Sequence, residues 1–216
     1  GRQKLNMAAS TIPGEFILPA YLPGFLEEYP SVRADLKIQE SDRLLDRVDE
    51  GELRWGVTGG RREESTLEYT PLFVDRMMLV AAQEHARPGQ PVTYGDFRDL
   101  RYVGRGPRSG TRRAVVERFE SAGFSPDEFL NPVARVGTVQ AVREVLLNGL
   151  GVGFLPASVV SEDLETGRLI ELPTEFPSIK RTFYGVENRF IGTPPVVDRF
   201  LDYLGEVLPE EGTIHE

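Results

Sequence analysis

The 216-residue chain contains no cysteine. Disulfides, thiolate metal sites and cysteine nucleophiles are therefore excluded, and the composition fits a reducing cytoplasm. Histidine is scarce: His85 falls in a loop and His215 in the tail, and neither is placed for a catalytic triad or a metal site. Lysine occurs only at Lys4, Lys37 and Lys180, so arginine supplies most of the 25 basic residues, an effect of genome composition. No apolar run approaches the ~20 residues that span a bilayer, and no signal-peptide pattern opens the chain. No strand leads into a P-loop or a Gly-x-Gly-x-x-Gly turn. These absences argue against an enzyme, a cofactor, a metal site and a membrane protein. The formal charge of −9 argues against direct contact of this segment with nucleic acid.

What is present is an ordinary globular composition, 40% hydrophobic and 27% charged, with room for one large domain or two small ones. The chain opens Gly1-Arg2-Gln3-Lys4 without an initiator methionine and enters a strand almost at once, as a segment of a longer protein would. Strands are expected at Lys4–Ala9, Val32–Gln39, Leu53–Thr58, Leu67–Phe73 and Met77–Ala82. Helices should fill about Pro13–Tyr29, kinked or divided at Pro19 and Pro23, and the stretch from a Ser41-Asp42 cap to Gly51. Arg61–Ser65 reads as a charged loop. After Arg87-Pro88-Gly89-Gln90-Pro91 the alternation restarts, with strands at Arg101–Gly104, Pro132–Val136, Val152–Leu155, Arg168–Leu172 and Thr182–Val186. Helices alternate with them at Thr93–Leu100, Thr111–Gly123, Val139–Asn148, Ala157–Glu165 and Pro195–Val207, before a polar, frayed tail at Pro209–Glu216. This order implies an α/β fold with mostly parallel sheet, in two lobes.

One junction occurs three times: an apolar run ends in hydroxyl and glycine residues just before an amphipathic stretch. It appears at Ala9-Ser10-Thr11-Ile12, at Arg105 through Ser109-Gly110-Thr111, and at Gly137-Thr138. A helix start presents unpaired N–H groups and the positive end of a dipole, so several of them aimed at one cleft would hold a small anion. Each is also a plain N-cap, and both readings stand at this point. Arg105 would pair either with a ligand or with an acidic wall. Arg108, Arg112 and Arg113 read as a solvated face that raises the local potential.

The run Ala8-Ala9-Ser10-Thr11-Ile12-Pro13-Gly14-Glu15-Phe16-Ile17-Leu18-Pro19 resembles the start of the effector-binding domain of LysR-type transcriptional regulators. Further matches follow in family order, among them Val48-Asp49-Glu50-Gly51, Tyr69-Thr70-Pro71-Leu72, Ser109-Gly110-Thr111-Arg112 and Gly149-Leu150-Gly151-Val152-Gly153-Phe154-Leu155-Pro156. The likeness extends to about Leu204. It implies a fold of two Rossmann-like lobes joined by two crossover strands, similar to type 2 periplasmic binding proteins. Lobe I would comprise residues 1–81 and 182–216, and lobe II residues 82–181, with the family's N-terminal winged helix-turn-helix absent from this chain.

The resemblance further implies a cytoplasmic sensor that binds a small anionic effector between its lobes: an inorganic oxyanion, or a small carboxylate or phosphate metabolite. Its ligand-binding residues would be Ser10, Thr11, Ile12, Arg105, Ser109, Gly110, Thr111, Gly137 and Thr138. The first helix shows Phe16, Ile17, Leu18, Tyr21, Leu22, Phe25, Leu26 and Tyr29, more apolar surface than one core face requires, so it is either a dry interface or a kinked helix buried on two sides. The resemblance favours the interface: the domain would form a homodimer through this helix, and a tetramer at full length. DNA would be bound only through the absent winged helix-turn-helix. A solute-binding protein of a transporter is the alternative with the same architecture. The chain departs from the family pattern at Arg54-Trp55, Ala86, Gly106 and Arg108, and the extra cation at Arg108 would ask more negative charge of a ligand.

Overall fold

The computed structural model describes residues 2–63 and 66–208. The tail Pro209–Glu216, His215 with it, and part of the Arg61–Ser65 loop lie outside the described residues. The described residues form two compact units: unit 1 holds residues 2–75 and 182–208, without 64 and 65, and unit 2 holds Arg76–Arg181.

In unit 1, β1 (Gln3–Ala9) pairs in parallel with β2 (Val32–Ile38) on one side and β3 (Gly56–Thr58) on the other. Met7, Ala8 and Ala9 are buried in succession, so both faces of this central strand are covered. Between β1 and β2 the chain makes a π-type turn at Ile12–Ile17 and then α1 (Leu18–Glu28). The expected division falls just before Pro19. Pro19 has no N–H to give the Glu15 carbonyl, and the preceding turn is widened so that the Leu18 N–H reaches the Pro13 carbonyl. Pro23 stays inside α1 without ending it. The helix α2 (Ser41–Asp49) buries Leu44, Leu45 and Val48 against Ala8 and Val186. Its N-cap is Glu40, not the expected Ser41-Asp42 pair, and no side chain closes it.

A single strand, β4 (Leu67–Ala81), replaces the two expected at Leu67–Phe73 and Met77–Ala82. The charged pair Asp75-Arg76 looks like a break in the pattern. Asp75 is nevertheless buried, and Arg76 pairs with Glu171 at 2.6 Å, so the strand runs through.

Unit 2 contains β5 (Val103–Arg105), α3 (Gly110–Ser121), the short α4 (Pro126–Phe129), β6 (Ala134–Val136) and α5 (Val139–Leu147). They are followed by β7 (Val152–Pro156), α6 (Ala157–Glu165) and β8 (Ile170–Glu171). The strand β5 is parallel to β6, whereas β7 and β8 are antiparallel to β4. The expected helix at Thr93–Leu100 is only a 3₁₀ turn at Gly95–Arg98. It seats Phe97, which stacks on Phe154 at 5.7 Å and meets Phe119 edge-on at 5.1 Å. The last strand, β9 (Ile179–Asn188), runs from unit 2 into unit 1 and lies antiparallel to β3, ahead of α7 (Pro195–Val207). Among the described strand pairs β1–β2, β1–β3 and β5–β6 are parallel, and isolated parallel bridges join Val92 to Thr174 and Tyr102 to Val152. The long strands β4 and β9, which no helix precedes directly, run antiparallel to β7 and β8 and to β3 respectively.

Two contacts fix the surroundings of α5. Asp163 of α6 is fully buried and accepts two hydrogen bonds from Arg143 of α5, at 2.6 and 2.7 Å, while Arg168 approaches it at 2.9 Å. These bonds to Asp163 hold the Arg143 guanidinium above its usual pKa. Before β7, His85 places Nε2 within 3.2 Å of the Gly151 amide, which donates to it, and 2.8 Å from the Gly149 carbonyl. Gly151 itself has φ +91, and a Cβ there would stand 2.1 Å from the Arg101 carbonyl. Removing one partner of a buried ion pair costs about 3–5 kcal/mol. Asp163→Asn should therefore lower stability by about 3 kcal/mol, read as a reduced urea midpoint. An unchanged midpoint would show that the clamp contributes nothing.

Candidate functional site

The three hydroxyl-bearing junctions differ in how their side chains are used. At the end of β1 the Ser10 N–H donates to the Val57 carbonyl of β3, and its carbonyl accepts from Gly14 at the start of the helical run, both at 2.9 Å. Its backbone is fully engaged, but its hydroxyl is not. Ser10 is 7% exposed, and Oγ is buried without a hydrogen-bond partner. Thr11 already has helical backbone angles and makes no side-chain cap. Ile12 is buried. Beside them Thr58, at the end of β3, is fully buried and accepts from the Gly60 N–H at 3.1 Å, which shapes the turn that follows.

In unit 2 two junctions leave one edge. The parallel register places Arg105 opposite Val136, so the carboxyl ends of β5 and β6 coincide, and α3 and α5 both begin beyond that edge. Here the hydroxyls are caps. Ser109 Oγ accepts from the Arg112 N–H at 3.3 Å, and Thr138 Oγ1 accepts from the Ala141 N–H at 3.1 Å. Ser109 and Thr111 are buried, whereas Gly137 and Thr138 are exposed. Accepting a capping bond leaves the Ser109 hydroxyl proton available to a further acceptor.

Arg105 is half-buried and donates from Nη2 to the Gly137 carbonyl at 3.0 Å. Its Nε is buried without a partner, and burial lowers its pKa from the usual arginine value. Of the two partners expected for it, no acidic wall is found among the described residues. The structure also brings in a side chain that the sequence pattern does not reveal. The three atoms nearest to a Cβ built on Gly110 all belong to the Arg181 guanidinium, which therefore lies against the first turn of α3.

The described residues hold no group of three His, Cys, Asp or Glu side chains arranged for a metal ion. Nor do they include a helix long and apolar enough to cross a membrane. The unit 2 junctions thus offer cations, glycine and helix N–H groups, a set whose chemistry suits an anion. The unit 1 junction, taken by itself, offers a buried neutral donor.

Residues 1–209 match the family described as the LysR substrate binding domain, and the chain belongs to that family. It is 30% identical over 162 residues to the HTH-type transcriptional regulator CysL of Bacillus subtilis (strain 168), covering 74% of this chain and 53% of CysL. It is 32% identical over 188 residues to a protein of Anaeromyxobacter dehalogenans (strain 2CP-C) named phosphonates import ATP-binding protein PhnC, covering 86% of this chain and 37% of that protein. The chain therefore spans only about a third to a half of the length of these relatives. The regulatory domain of CcmR from Synechocystis PCC6803, solved in complex with 2-PG, matches with a TM-score of 0.82 at 22% identity, over 98% of this chain and 100% of that one. The fold is accordingly the α/β architecture of LysR regulatory domains, of the type 2 periplasmic-binding-protein kind.

The two kinds of hydroxyl respond differently to removal. Ser109→Ala deletes a cap and should cost about 1 kcal/mol without any ligand. Ser10→Ala deletes a buried, unpaired donor and should leave the ligand-free protein unchanged or up to about 1 kcal/mol more stable. Thermal unfolding of both variants checks this, and equal losses would show that Ser10 Oγ is bonded after all.

Proposed function

We propose that this chain is the ligand-sensing and dimerisation domain of a LysR-type transcriptional regulator and that its effector is a small anion: an inorganic oxyanion, or a small carboxylate or phosphate metabolite. Ser10, Thr11 and Ile12 of unit 1 and Arg105, Ser109, Gly110, Thr111, Gly137 and Thr138 of unit 2 form the binding set. The observation that carries the reading is the Ser10 hydroxyl. Ser109 and Thr138 spend theirs on caps, whereas Ser10 Oγ is buried and meets no hydrogen-bond partner in the protein. A buried donor without an acceptor costs about 1–3 kcal/mol, which a ligand oxygen would recover. The half-buried Arg105 gives the charge for an anion, and the 2-PG complex of CcmR supports small-ligand binding by this fold.

A helix end contributes about 0.3–1 kcal/mol to a nearby charge, and charge-assisted hydrogen bonds about 1.5–3 kcal/mol each. A few of each suffice for micromolar affinity, about −8 kcal/mol. The chain acts as a sensor and not as an enzyme. It works in the cytoplasm, and DNA is bound by a winged helix-turn-helix outside it. The effector shifts DNA binding only as far as it prefers one state of the regulator over the other.

Thermal unfolding with sulfate, sulfite, thiosulfate, phosphate and small di- and tricarboxylates, against sodium chloride of matched ionic strength, tests the effector class. At least one anion should stabilise the protein saturably, and Ser109→Ala and Ser10→Ala should each weaken its binding tenfold or more. Absence of any saturable shift sinks the reading. The dimer is assigned to α1, where Tyr21, Leu22 and Leu26 remain half-buried in the single chain. Tyr21→Glu should convert the dimer to a monomer in sedimentation velocity. A dimer indifferent to that charge does not use this helix.

A further inference from the structure

The ring of His85 meets two backbone groups with opposite demands. Its Nε2 lies 2.8 Å from the Gly149 carbonyl and 3.2 Å from the Gly151 nitrogen, whose N–H points at it. A ring nitrogen carries either a lone pair or a proton, so at any moment it serves one of the two. The alternatives open to each group differ. Gly151 is buried, and among the described residues its N–H has no acceptor other than Nε2. Gly149 is half-buried, and water can take its carbonyl. A neutral ring therefore does most good by placing its proton on Nδ1 and accepting from Gly151.

Both groups sit at the seam between a helix and a strand. Gly149 follows α5 with φ +84, and the Gly149 and Leu150 N–H groups donate back to the carbonyls of Leu146 and Val145. This is a Schellman ending, so the Gly149 carbonyl stands at the negative end of the α5 dipole. Gly151 leads into β7, where Val152 donates to the Arg101 carbonyl and lies opposite Ala81 of β4. His85 can pin the end of α5 or the start of β7, but not both.

The surroundings let the ring change charge. Its side chain is 31% exposed, and Glu84, beside it on the turn Gln83–His85, holds Oε1 3.7 Å from Nε2. Of the other charged groups nearby, Arg87 is paired with Asp96 at 3.1 Å, and Glu144 of α5 with Arg143 at 3.0 Å. Arg101 meets the loop through its carbonyl and Cβ. An imidazolium thus has a carboxylate and a helix C-terminus beside it. Histidine is the side chain that changes charge between about pH 5 and 8.

We propose that His85 is a proton-operated switch on the loop between α5 and β7. With the ring neutral, Nε2 accepts from Gly151 and closes the start of β7. With the ring charged, Nε2–H donates to the Gly149 carbonyl and fixes the end of α5. The Gly151 N–H then faces another N–H, and the loop opens to give it to water.

Nuclear magnetic resonance of the isotopically labelled chain, titrated between about pH 5 and 8, tests this. The ring nitrogens report tautomer and charge, and His215→Gln assigns the second imidazole. In the neutral ring Nδ1 should carry the proton and Nε2 should resonate as an unprotonated nitrogen. As the ring charges, the Gly151 amide should lose roughly fivefold in hydrogen-exchange protection beyond the intrinsic effect of pH, while Val160 of α6 keeps its own. In His85→Gln the carboxamide holds donor and acceptor on separate atoms, so Gly151 protection should no longer follow pH over this range. A neutral ring with its proton on Nε2 overturns the switch. So does Gly151 protection that ignores the charge of the ring, or that follows pH equally in His85→Gln. The first two results are read in the parent, so the test stands even if the variant does not fold.

Discussion

Parallel strand pairing is the constraint on which the rest of this structure depends. Register between β5 and β6 brings their strand ends level, and α3 and α5 both start beyond that edge, while β1, held in register with β2 and β3, hands the chain to the helical run from Ile12. Backbone N–H groups gather there without any side chain having to direct them. Short, weakly biased sequences can therefore build a polar edge: three residues of β5 and three of β6 suffice, because Gly153 and Phe154 of β7 and the aromatic set around Phe97 carry the packing.

The two units supply chemically different groups. Unit 1 presents a neutral donor, Ser10 Oγ, and unit 2 presents guanidinium groups. A buried neutral donor adds direction but little long-range field, whereas arginines add field that salt screens over about 10 Å at 0.1 M. The field of Arg105 is therefore sensitive to salt, whereas hydrogen bonding by the Ser10 hydroxyl is not.

The sequence revealed much of this fold because its elements carry local signals. Ala157–Glu165 and Pro195–Val207 begin next to proline and show one apolar face, and both appear as read. The ordered motifs from Ala8 to Pro156 identify the family that the whole-chain match establishes. What stayed hidden depends on distant partners. Asp75-Arg76 looks like a break in a strand until Glu171 is seen across from Arg76. Ser10, Ser109 and Thr138 look alike as candidate caps, and only the hydrogen bonds of the fold distinguish an idle hydroxyl from two working ones. Arg181 has no motif of its own. Its guanidinium lies against Gly110, far away along the chain, and no periodicity links the two.

The widened turn at Ile12–Ile17 has a consequence for how α1 is aimed. Successive residues of an α-helix rotate by about 100°, so a turn that holds one residue more than the α-type resets the phase of all that follows. Ser10 hands its carbonyl to Gly14 inside this turn, and Tyr21, Leu22 and Leu26 come after it on the same continuous helical run. The azimuth of their apolar face is thus geared to the backbone at Ser10. Tightening the π-turn to α-type would rotate that face by roughly a quarter turn about the helix axis without moving the end of β1.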